Sequence, residues 1–235
     1  MNQIERADPV FNQFSSSYDS WFDDPKGSFI DRIETELAFR LLQVEPGMKV
    51  LDIGCGTGNF SIKLAKMGCQ VTGVDISDEM LRLARSKAGN QGLDIEFVCM
   101  DILGLAFADD SFHAVVSMAA FEFIPDVPKA FAEMLRVVRP AGQVLVGTIA
   151  GDSAWGELYS SVEFQKQSVF KYANFMTIRD LTGLDPKRLV ATGECLFIDP
   201  QADESEFNIV REQELAGSRK GGFICGLWKK QQLVR

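Results

Sequence analysis

The 235 residues carry 33 acidic and 24 basic side chains, a net charge of −9, with a 46% hydrophobic content ordinary for one globular domain with a sizeable core. An acidic chain without a basic run is a poor match to a phosphate backbone, so no nucleic-acid partner is expected. With no eighteen-residue apolar stretch, no apolar core in the first ten residues, no Cys-x-x-Cys pair and a single histidine, no spanning helix, secretory leader, disulfide framework or closed zinc site is expected. The expected setting is a reducing cytoplasm, with no membrane partner and no metal.

Residues 1–28 place Phe11, Phe14, Tyr18, Trp21 and Phe22 at helix-like spacing, which predicts an amphipathic helical cap. A second helix is expected from Phe29 to Val44, ended by Pro46 and Gly47. Val50 to Ile53 is short and apolar and reads as a buried strand. Gly54, Gly56 and Gly58 follow, and Phe60 to Met67 has helical periodicity. A second apolar run, Val71 to Val74, ends at Asp75. Strand, glycine turn, helix and strand make the front of a nucleotide-binding βαβ unit, with Asp75 at the strand tip where ribose hydroxyls would bond it. The glycines read G-x-G-x-G, with Asn59 where a dinucleotide fingerprint has its third glycine, and no Lys follows Gly58 as a P-loop requires.

Phe112 to Ser117 is expected as strand four, Phe131 to Arg139 as a helix, and Gln143 to Thr148 as strand five. Residues 151–176 hold Trp155, Tyr159, Phe164, Phe170, Tyr172 and Phe175. They follow a strand's C-terminal end, so they read as a lid over a ligand crevice, or else as a helix covering one sheet edge. A helix at Thr177 to Leu184 and strand six at Leu189 to Ile198 come next. Pro200 to Ser218 is acidic and reads as a solvated connection with a short helix at Phe207 to Leu215. The alternation of strands and helices predicts an α/β sheet covered on both faces.

Asp52 to Gly58, Val71 to Leu81, Phe97 to Ile102, Phe131 to Gly142 and Gly222 to Lys229 together resemble, in order, the motifs of class I S-adenosylmethionine-dependent methyltransferases. The likeness is to small-molecule members of the ubiquinone and menaquinone biosynthesis type. It implies a single domain over 1–235 with a doubly wound, seven-stranded, mostly parallel, Rossmann-like sheet whose last strand is antiparallel. Within it lie an N-terminal helical cap (1–44), a cofactor-binding core (45–150), a lid (151–176) and the rest of the sheet (177–235). The implied cofactor is S-adenosylmethionine, the product S-adenosylhomocysteine, and the partner a small-molecule methyl acceptor. The resemblance assigns Asp52, Gly54, Cys55, Gly56 and Gly58 to the methionine and ribose end, and Asp75 to the ribose diol. Ile76 and Met80 would sandwich the adenine, with Asp101 and Ile102 at its edge. Ser117 and Tyr18 complete the cofactor set.

A sulfonium methyl is already a strong electrophile, so alignment and exclusion of water carry most of the chemistry. Family members often have a histidine pair after strand four; here Glu122 and Phe123 stand in its place. The expected groups at the acceptor are therefore Glu122, Tyr18 and Tyr159, the alternative for Glu122 being the cap of a helix starting near Pro125. His113 is expected at the opposite pole in a structural role, Asp109 and Asp110 in solvent, and Cys55 beneath the glycine turn. Two competing readings are a nicotinamide-dependent oxidoreductase and a non-catalytic cofactor-binding module acting through a partner.

Overall fold

The computed structural model describes residues 10–13, 18–166 and 168–232. Seven strands form one sheet in the order β3-β2-β1-β4-β5-β7-β6. They are β1 (Lys49–Ile53), β2 (Gln70–Asp75), β3 (Glu96–Cys99), β4 (Phe112–Met118), β5 (Val138–Ile149), β6 (Leu189–Cys195) and β7 (Phe223–Lys229). β7 runs antiparallel between β5 and β6, and the other neighbouring pairs are parallel. β1 pairs with both β2 and β4, so the strand order reverses direction there. That switch point opens a crevice at the C-terminal ends of β1 and β4.

Helices cover both faces, which is why β1 and β4 read as unbroken apolar runs. On one face lie the helices Pro25–Leu41 and Asn59–Lys66, packing Ile30, Ile33, Leu37 and Leu64 against Val50, Val116 and Leu145. On the other lies Val127–Val137, whose Phe131 and Met134 pack with Val115, Val144 and Trp228. Trp228 is fully buried, edge-on to Phe131 at 4.8 Å, and its Nε1 donates to the Asp185 carbonyl at 3.0 Å. Among the described residues no helix is long and apolar enough to cross a membrane.

Several expected boundaries shift, each for a local reason. The helix expected from Phe29 begins at Pro25: proline suits a first helical position, and the Asp24 carboxylate accepts from the Lys26 and Gly27 amides. The expected N-terminal helix is instead a 3-10 turn at Val10–Gln13 and one α-turn at Ser20–Asp23; Phe14 lies outside the described residues. β5 begins at Val138, before the expected Pro140–Gly142 turn, and β6 ends at Cys195.

Asp109 and Asp110 are exposed as expected, and on that surface they pair with Arg136 and, at 2.7 Å, with Lys230. One acidic feature is not the solvated surface expected. Glu212 is buried on the helix Ile209–Leu215, where its carboxylate accepts from the amides of Leu196, Phe197 and Ile198. Those amides follow β6, where Leu196 has φ +64°, so the acid holds a turn that an L-residue adopts reluctantly.

Candidate active site

A cavity of about 460 Å³ lies at the switch point. Its floor is the glycine loop after β1 and the turn after β4. Its walls come from the N-terminal segment, the helix Pro25–Leu41 and the aromatic stretch after β5.

The glycine loop is shaped by backbone geometry only glycine adopts freely. Gly54, Gly56 and Gly58 have φ of +66°, +51° and +81°. A Cβ on Gly54 would sit 2.5 Å from Ala120 Cβ, and one on Gly58 would press Ala84 and Phe97 at 3.0 Å. Gly58 thus serves helix packing and does not line the cavity. A Cβ on Gly56 would meet nothing within 4 Å, so the loop's bare face turns toward open space.

Tyr18, Asp52, Gly54, Cys55, Gly56, Glu122 and Tyr159 all line the cavity. Asp75, Ile76, Met80, Asp101, Ile102 and Ser117 do not. Ser117 is buried and its hydroxyl donates to the Ile53 carbonyl at 2.9 Å, tying β4 to β1. Met80 is fully buried under its helix, so it packs where a sandwich with Ile76, 43% exposed, was expected. Asp75 stands at the end of β2, with Oδ2 accepting from the Gly56 amide and Oδ1 from the Ser77 amide, both at 2.9 Å. Asp101 accepts from the Leu103 amide and starts a 3-10 turn. The edge formed by Asp75, Ile76 and Asp101 adjoins the cavity but is not part of its wall.

Glu122 sits in a 3-10 turn after β4 and is completely buried. Its Oε2 accepts from the Thr148 hydroxyl at 3.0 Å, and its Oε1 has no partner. It does not cap the following helix; Asp126 does, accepting from the Lys129 amide. His113 lies at the start of β4, where Nδ1 accepts from the Lys49 amide at 3.0 Å, away from the cavity. Cys55 is buried beneath the glycine turn, and burial raises its thiol pKa.

The aromatic stretch folds as the helices Ala154–Ser160 and Val162–Gln165 and a 3-10 turn at Val169–Tyr172. Tyr159 stacks on Phe170 at 4.5 Å, and Phe164 packs on Tyr159 at 5.0 Å. From the other side, Phe11 meets Phe123 edge-on at 4.9 Å. Lys87 ties the N-terminal segment to the glycine loop, donating to Asp19 and Thr57 at 2.8 Å and to Asn59 at 2.5 Å.

Glu34 also lines the cavity, and the sequence reading did not single it out. The signal was present. On the helix Pro25–Leu41, Glu34 is four residues from Ile30 and from Ala38 and three from Leu37, all buried. An acid in the middle of an apolar stripe is the anomaly that marks it.

Burial dominates the ionisation of this site. It pushes Asp52 up to about 7 against the opposing bond from Ser61, and Glu122 up to about 7 against the bond from Thr148. Glu34 is raised too, by burial and then by the negative charges of Asp31 and Glu122. Burial likewise raises Tyr18 and Tyr159, so both remain phenols.

A carboxyl that holds its proton more tightly folded than unfolded costs no stability below its unfolded pKa of about 4 and progressively more as pH rises through about 7. The ligand-free protein should therefore melt lower at pH 8 than at pH 6, by about 1 kcal/mol each for Asp52 and Glu122. Calorimetric melts of the parent and of Glu122→Gln check this, because the variant should lose part of the slope. Equal slopes would contradict the assignment to Glu122.

A methyltransferase-domain family model matches residues 50–142. A Methanocaldococcus jannaschii protein of uncharacterised function is 30% identical over 92% of this chain and 96% of its own. A methyltransferase of Streptomyces halstedii is 32% identical over 69% of this chain and 57% of its own. A Mycobacterium tuberculosis protein of uncharacterised function is 33% identical over 54% of this chain. The chain spans about half the length of such curated relatives, 46% in the mycobacterial case. Among solved structures, a Thermotoga maritima protein described as an S-adenosylmethionine-dependent methyltransferase superposes with a TM-score of 0.72. It covers 94% of this chain and 99% of its own at 23% identity, a likeness of fold.

Proposed function

The chain belongs to the S-adenosylmethionine-dependent methyltransferase family, and from that premise we propose that it methylates a small-molecule acceptor. One observation carries this reading: the glycine loop and the buried Glu122 line the same cavity of about 460 Å³. That volume suits a small ligand.

The residues present fit the cofactor. Gly56 offers a bare backbone face, and Asp52 is a buried carboxyl suited to an aminium group. Asp75 keeps a spare lone pair on each oxygen after its two amide bonds. Tyr18, whose pKa is raised by burial and then by the charges of Asp75 and Glu122, lines the same cavity as Asp52 and Glu122. When bound, S-adenosylmethionine supplies a methyl carbon on a sulfonium that departs as a neutral thioether with the bonding pair. This chain's residues do the rest. Tyr18 and Tyr159 orient the acceptor, Glu122 bonds it or takes its proton, and the aromatic segments exclude water. Cys55, Cys69, Cys195 and Cys225 are buried free thiols, which suits a reducing cytoplasm.

Calorimetry tests the cofactor. S-adenosylhomocysteine should bind with a dissociation constant on the order of micromolar, the lower range of enzyme affinities, while NAD⁺ should give no heat. Binding of NAD⁺ alone would replace this reading with that of an oxidoreductase.

Hydrogen exchange tests the cover. Amides of residues 18–23 and 154–172 should gain protection when S-adenosylhomocysteine is added, beyond the gain at the glycine loop. Equal protection with and without it would make these segments fixed packing elements.

A further inference from the structure

The charges lining the cavity all have one sign. Among the described residues, Asp31, Glu34, Asp52 and Glu122 contribute carboxyls, and no Lys, Arg or His is in the wall. Two of the four already have strong partners: Asp31 pairs with Lys63 at 2.6 Å, and Asp52 accepts from Ser61 at 2.5 Å. Lys63 is itself held by Asp31 and Thr35. Glu34 and Glu122 are what remains.

Glu122 carries the argument. It is 0% exposed, and Oε1 is a buried acceptor without a donor. A native fold keeps such an atom only where something else supplies the bond. The same cavity is lined by aromatic rings: Tyr159 stacked on Phe170, and Phe123 5.7 Å from Phe170. Ring faces attract cations. A carboxylate or phosphate acceptor would meet only like charge. A neutral hydroxyl would satisfy Oε1 but gain nothing from Glu34 or the rings.

We infer that the acceptor is an amine that enters protonated, its nitrogen held between Glu122 and Glu34 and walled by aromatic rings. The inference rests on the methyl-transfer reading and names its substrate class. A protonated nitrogen has no free pair. Its N–H bond breaks with the electron pair left on nitrogen, and the proton bonds to Glu122 Oε1. Burial holds that carboxyl near pH 7, where it both accepts and returns a proton readily.

The test is binding in the presence of saturating S-adenosylhomocysteine at pH 8, comparing 2-phenylethylamine with 2-phenylethanol by calorimetry. The two share a skeleton and a hydrogen-bond donor and differ in charge. The amine should bind at least about tenfold more tightly, as a desolvated charge pair and ring faces require. Glu122→Gln and Glu34→Gln should each weaken the amine at least about fivefold and leave the alcohol within about twofold. If one variant fails to fold the other decides, and if both fail the parent ratio decides. Equal affinities, an amine unaffected by both variants, or no binding of either compound overturns the inference. A prior titration with S-adenosylhomocysteine alone separates the two readings. Its failure sinks the methyl-transfer reading, whereas cofactor binding with preference for the alcohol sinks only the amine.

Discussion

Asp75→Ala should lose at least about a hundredfold in affinity for S-adenosylhomocysteine. Both carboxylate oxygens accept backbone amides, from Gly56 and from Ser77, at 2.9 Å. Bonds to a charged group contribute about 1.5–3 kcal/mol each, and a buried donor left alone costs a similar amount. Part of that loss falls on the fold and part on the glycine loop, since Gly56 sits at φ +51° with no packing contact for a Cβ. The proposed ribose bonds go as well. Asp75→Asn should fare little better, because its NH₂ would face one of the two amide donors. Calorimetry on the folded variants decides. Affinity within threefold of the parent would remove Asp75 from the cofactor's contacts.

Glu122→Gln should lower turnover about a hundredfold, with S-adenosylhomocysteine affinity within twofold of the parent. General-base help is typically worth about a hundred- to ten-thousand-fold, and placement of the acceptor adds to it. The substitution keeps shape and the Thr148 bond while removing charge. The parent's turnover should rise with pH through about 7, as the buried carboxyl ionises, and that limb should vanish in Glu122→Gln. A parent profile flat between pH 6 and 8, with the variant within twofold, would leave proximity as the whole mechanism.

The part of the fold legible in the sequence was the part governed by local periodicity. β1, β2 and β4 are buried on both faces, so their apolar runs gave the strands to within a residue. The glycine loop was legible because positive φ at three positions demands glycine. What stayed hidden depends on distant partners. Glu212 sits in an acidic stretch and looks solvated, yet it satisfies three amides 14 to 16 residues away. Arg136 and Lys230 gather Asp109 and Asp110 from across the fold. The helix expected from Phe29 starts at Pro25 because Asp24 caps it, a local signal that apolar periodicity does not carry. At the site, resemblance assigned Ser117 and Met80 to the ligand, but packing claims both, through the Ile53 carbonyl and through complete burial.

The two layers of this cavity come from different stretches of chain. The family model ends at residue 142 and begins at residue 50. Tyr18, Glu34, Tyr159, Phe164 and Phe170 all lie outside it, while Asp52, Gly54, Gly56 and Glu122 lie inside. Lineages that share the inner stretch are thus free to diverge in the wall outside it. A substitution at Tyr159 or Phe164 remodels the wall without touching a parallel strand or the glycine turn. Selection can act on a few rings on short helices, while the glycine turn and the strands beneath it are inherited intact. Directed evolution of this chain toward other acceptors should begin at those rings.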